Sequence, residues 1–204
     1  MVHSPLRPHR NRGFTLLELM VVIAIIGLLA AVAAPKLSTM TEPAKARVLD
    51  DFATRVAEAI VGLQTDLGIP AQVASNPLVA SGNTMLDVLV NGDSPSGLVA
   101  ATYTTDFADT PVRPLARAVK TLTAPTVGSA GSYAVADYTV TIADGTVGRT
   151  VQVSYASVPS AVVKKLYTEK VSGTFDPDTA VTSGPVQYTA AASGLHSVTL
   201  ERRY

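Results

Sequence analysis

At 204 residues the chain is long enough for one medium domain with an appendage, and it can bury a core without covalent staples. It has no cysteine, which excludes a disulfide framework and thiolate metal ligation; sixteen basic against sixteen acidic side chains exclude a bulk electrostatic case for nucleic acid. The balance is local, because Arg7, Arg10 and Arg12 precede Gly13 with no acid among them, leaving thirteen basic and sixteen acidic residues beyond it.

Residues 1–13 form a short basic leader. From Phe14 to Ala34 the sequence is apolar apart from Glu18, and as a helix this run extends ~30 Å, the thickness of a hydrocarbon core. The arginines on its N-terminal side put the leader in the cytoplasm and everything after Pro35 across the membrane, an N-in, C-out topology. A carboxylate at depth in a bilayer costs ~2.5–3.5 kcal/mol, so Glu18 has two readings. Either its carboxylate reaches the interface near the helix end, or it pairs with a cation. A cut after Gly13 would supply one, the free amine of Phe14 on a neighbouring chain. Gly13 lacks a Cβ and suits the extended backbone a peptidase needs. Further along, Gly27 and Pro35 bracket a stretch where helix hydrogen bonding is weakest, and a kink is expected there.

The string Arg12-Gly13-Phe14-Thr15-Leu16-Leu17-Glu18-Leu19, followed by the long apolar run, resembles the processing site of type IV prepilins and the related type II secretion pseudopilins. The resemblance covers about residues 7–37. It implies that a prepilin peptidase cuts after Gly13 and methylates the Phe14 amine, and that Phe14 and Glu18 then serve assembly. It implies as partners further copies of the chain, related minor pilins, an assembly platform with its ATPase, and the bacterial inner membrane before assembly. The product would be an extracellular or periplasmic filament, and the segment from Gly27 to Pro35 could unwind within it. Two rivals share the resemblance, a secretion pseudopilin and a minor or tip pilin acting as an adhesion or binding module. A third reading is an ordinary secretory signal cut at the small-residue pattern Ala31-Val32-Ala33. The apolar run is long for that, and the Arg-Gly-Phe-Thr-Leu-Leu-Glu string is left without a purpose.

Beyond Pro35 the spacing predicts an amphipathic helix over residues 35–67, with Val48, Phe52, Val56, Ile60, Leu63 and Leu67 on one face and Arg47, Asp51, Arg55 and Glu58 on others. Gly68-Ile69-Pro70 stops it. Residues 68–204 read as a β-rich domain. A short helix is expected over Asn83–Gly92, strands over Ala116–Leu122, Tyr133–Ile142 and Val147–Tyr155, and a hairpin at Asp144-Gly145. A change of phase near Asp137 suggests a bulge. A helix over Pro159–Tyr167 and strands over Val186–Ala190 and Ser197–Glu201 complete the pattern. The expected fold class is α+β, a long kinked N-terminal helix on an antiparallel sheet, in agreement with what the pilin resemblance implies. Many pilins clamp the last loop with a disulfide; without cysteine, the anchor of Gly173–Tyr204 stays open.

Other chemistry is sparse. The chain beyond Gly13 has a single histidine, His196, and no phosphate loop or dinucleotide fingerprint, so neither enzyme activity nor a cofactor is expected. Asp176-Pro177-Asp178 reads as a solvated turn ahead of a calcium site. Lys164-Lys165 and Arg202-Arg203 read as solvated faces, with nucleic acid not indicated.

Overall fold

The structure, a computed structural model, describes residues 16–108, 114–146 and 148–204, apart from the side chains at 30–40 and 108. It divides into two compact units, one ending at Thr41 and one running from Glu42 to Tyr204. The first helix, α1 (Leu16–Leu67), contributes to both.

In the second unit α1 buries Ala46, Leu49, Phe52, Ala53, Val56, Ala57, Ile60 and Leu63. These residues recur at three- and four-residue intervals and so form one stripe. Val48, expected on that stripe, is 47% exposed. Ala46 and Ala53 complete the buried stripe instead, and Val48 stands outside it. Gly68 ends the helix at φ 62°, a left-handed conformation that costs glycine nothing, and Ile69 drops into the core beside it.

Six antiparallel strands follow in the spatial order β1-β2-β3-β4-β6-β5. They are β1 (Lys120–Thr123), β2 (Ser132–Val135), β3 (Tyr138–Asp144), β4 (Thr150–Pro159), β5 (Val186–Tyr188) and β6 (Leu195–Arg203). Helices α2 (Met85–Asn91) and α3 (Thr104–Ala108), the latter extending a 3-10 turn at Ala101–Tyr103, precede the sheet. Helix α4 (Ser160–Lys170) sits between β4 and β5 in sequence. The region before Pro114, expected to be loop after α2, therefore holds a short helix. The phase change at Asp137 is a chain reversal. Val135 pairs with Tyr138, and Ala136 and Asp137 form a two-residue turn with φ of 49° and 75°, the primed geometry that matches strand twist. Ala-Asp lacks the glycine that marks such turns in sequence, which is why the reversal reads there as a bulge.

Polar side chains tie the loops in place of disulfides. Thr84, one residue later than the expected cap, and Asp87 form a capping box at the start of α2. The Asp144 carboxylate accepts from the backbone N–H groups of Val73 and Ala74, and that of Asp93 from Gly97 and Val99. At the C-terminal end, Tyr167, Phe175, Tyr188 and His196 form a ring cluster with centroids 5.2–6.4 Å apart. Tyr188 also donates its hydroxyl hydrogen to the Asp176 carbonyl and exchanges two backbone bonds with Val181. Residues 173–204 are thus anchored by aromatic packing and strand pairing.

Two buried tyrosines set an alkaline limit. Tyr155 donates to the Leu49 carbonyl across the α1–sheet interface at 2.7 Å, and Tyr133 donates to Asp87 at 2.6 Å. Burial raises both hydroxyls well above the ordinary tyrosine range, with the Asp87 hydrogen bond and charge adding to it at Tyr133. The folded pKa lies above the unfolded one, so this contribution is complete below about pH 10 and is lost as pH rises beyond it. Denaturant titrations of the detergent-solubilised chain between pH 8 and 11 should show flat stability to about pH 10. Beyond that point a fall of ~1.4 kcal/mol per pH unit per tyrosine is expected.

Candidate functional site in the first helix

The N-terminal part of α1 is apolar on every side. From Leu16 to Leu29 the large aliphatic side chains are each 48–78% exposed, so no face of this stretch is covered by the other described residues. A helix apolar all round is stable only inside a bilayer or among other apolar helices. Among the described residues no helix is long and apolar enough to cross a membrane. The apolar run of the sequence continues through residues 30–34, whose side chains lie outside the description.

Glu18 lies in the first described turn of α1. Gly13 and Phe14 lie outside the described residues. Gly27 is helical, and a Cβ added there would meet nothing within 4 Å. Nothing among the described residues therefore requires glycine at that position. The backbone is helical through both Pro35 and Pro43; the Pro35 side chain is outside the description.

Elsewhere the polar groups serve their own loops. His196 is buried, donates from Nδ1 to the Thr189 carbonyl at 2.7 Å and meets Ser160 Oγ through Nε2 at 2.8 Å. Phe175 and Tyr188 hold its ring edge-on. Asp176 accepts from the Asp178 N–H and the Thr179 hydroxyl, bonds that keep its carboxyl below the usual carboxylate range. Among the described residues no group of three or more histidine or acidic side chains is placed to hold a metal ion.

The family model described as the Prokaryotic N-terminal methylation motif matches residues 8–34, a segment containing Gly13, Phe14, Glu18 and Gly27. The chain is 44% identical over 72 residues to the type IV narrow pilus major component PilA5 of Thermus thermophilus. That alignment covers 33% of this chain and 61% of the relative. It is 34% identical over 95 residues to the fimbrial protein EcpC of Eikenella corrodens, covering 45% and 62%. Against the type IV major pilin protein PilA of Myxococcus xanthus it is 77% identical over 26 residues, 13% of this chain and 12% of the relative. The chain thus spans about three-fifths of the length of two of these relatives and about an eighth of the third. No solved structure matches. In its N-terminal segment and in these partial alignments the chain is similar to type IV pilins and their prepilin-type methylation motif.

Proposed function

We propose that the chain is a structural subunit of a type IV pilus-class filament. It is made as an N-in, C-out inner-membrane precursor, cut after Gly13 and methylated at Phe14, then polymerised through the apolar half of α1 into an extracellular fibre. The observation that carries this reading is the conjunction in one segment of the Gly13-Phe14 motif, Glu18, and a helix whose apolar side chains are exposed on all sides. Such a helix needs the bilayer before assembly and like helices after it, and a cut on its cytoplasmic side leaves it attached to the globular unit. The named relatives are pilus and fimbrial proteins, which favours a surface fibre over a periplasmic pseudopilin.

Shearing producing cells and identifying the released protein by mass spectrometry tests the reading. Abundant recovery of this chain in the sheared fraction is expected. Its absence from that fraction, with the protein present in membranes, would overturn the filament assignment.

A further inference from the structure

Within the second unit α1 leaves an exposed arc whose two flanks differ. On one flank stand Val48, Asp51 and Arg55, with Val48 47% exposed and Arg55 Nε 2.7 Å from the Asp51 carboxylate. The other flank forms one wall of an open groove of about 410 Å³, which Ala57, Glu58 and Val61 share with the C-terminal residues Arg203 and Tyr204. At 100° per residue Ala57 and Val61 lie roughly a third of a turn from the first flank, the ridge, while Glu58 stands between them and the ridge, about one turn of helix beyond Arg55. Glu58 has no ion-pair partner among the described residues, and its neighbour Arg202 is held by Asp50.

The ridge and the groove are chemically complementary. The ridge carries an apolar group, an acid and a base in Val48, Asp51 and Arg55. The groove carries apolar Ala57 and Val61, the acid Glu58 and the base Arg203. Bonding Asp51 through Nε leaves the Arg55 guanidinium its other donors, and an exposed i,i+4 pair holds too weakly to prevent a second partner. Because ridge and groove are different patches of one chain, a contact between them is head-to-tail, the type that propagates as an open filament.

We propose that this groove is the socket for the neighbouring copy of the chain, receiving its Val48–Arg55 ridge with Arg55 against Glu58 and Asp51 against Arg203. The inference rests on the filament reading and names the partner surface outside the apolar half of α1.

Two variants of the full chain test it in cells with no wild-type copy. Glu58→Lys makes the groove wholly basic, so it repels Arg55. Arg55→Glu makes the ridge wholly acidic, so it repels Glu58. Each alone should reduce sheared filaments at least tenfold with membrane levels of the chain unchanged. Produced together they should recover to within about twofold of wild type, because each variant's ridge then matches the other's groove in an alternating copolymer. No role within one chain gives that rescue, since the pairing inside each chain is the same alone or in the mixture. Normal filaments from either single variant, or no rescue on mixing, would overturn the socket while leaving the filament assignment standing. Absence of wild-type chain from the sheared fraction would overturn both.

Discussion

Replacing Glu18 with alanine is expected to abolish filaments while sparing the steps before assembly. Glu18 is the sole charge in the run from Phe14 to Ala34, so its removal eases insertion, and the cleavage bond four residues upstream is untouched. In the proposed bundle of apolar helices, the Phe14 amine of one subunit and the Glu18 carboxylate of another would neutralise each other at only one axial offset. Removing one member of such a buried pair leaves the other uncompensated, at a cost of about 3–5 kcal/mol, which is roughly a hundredfold or more in an association constant. Glu18→Gln keeps the size, removes the charge and should also assemble poorly. Mass spectrometry of membranes should find both variants cut after Gly13, and electron microscopy should find few or no filaments. Filaments of normal number and length from both would mean that the carboxylate simply reaches the interface.

The second large effect is on folding and concerns Asp87, which is fully buried. Its carboxylate accepts from the Thr84 N–H and hydroxyl on one oxygen, and from the Gly131 N–H and the Tyr133 hydroxyl on the other. Among the described residues no ion pair reaches it; four neutral donors replace its hydration and join α2 to the start of β2. Asp87→Ala strands those donors together and should cost about 3–5 kcal/mol, a large part of a typical domain's stability. Tyr133→Phe removes one donor of the four and should cost about 1–2 kcal/mol. Denaturant midpoints of the two variants in detergent should fall in that order. Equal and small shifts would show the network to be peripheral to the fold.

Legibility in the sequence followed the strength of the local signal. The amphipathic stripe of α1, its stop at Gly68 and the hairpin after Asp144 each rest on a periodicity or a turn residue that acts locally, and all three are present. Val48 misled because it is large and apolar and falls at the edge of the helical stripe, which the small Ala46 and Ala53 complete. The Ala136-Asp137 reversal was hidden because the left-handed residues in it are not glycine. Nothing local in Asp87, Asp93 or Asp144 announces that these carboxylates serve distant backbone N–H groups, since their partners are chosen by the tertiary fold. The same holds for the cluster of Tyr167, Phe175, Tyr188 and His196 that anchors the C-terminal region. The proposed assembly residues are the opposite case: Gly13, Phe14 and Glu18 stand close together in sequence and can be proposed from it alone, while the groove beside Glu58 needs the C-terminal residues brought to α1.

The N-terminus of the chain recovered from cells tests the central claim most directly. On the proposed topology Arg12-Gly13-Phe14 sits on the cytoplasmic side of the apolar run, so the intact mass of the sheared protein should correspond to a chain beginning at Phe14 with a methylated amine. A mature terminus at Ala34 or Pro35 would mean that the apolar run is removed as an ordinary secretory signal, and the filament account would be wrong.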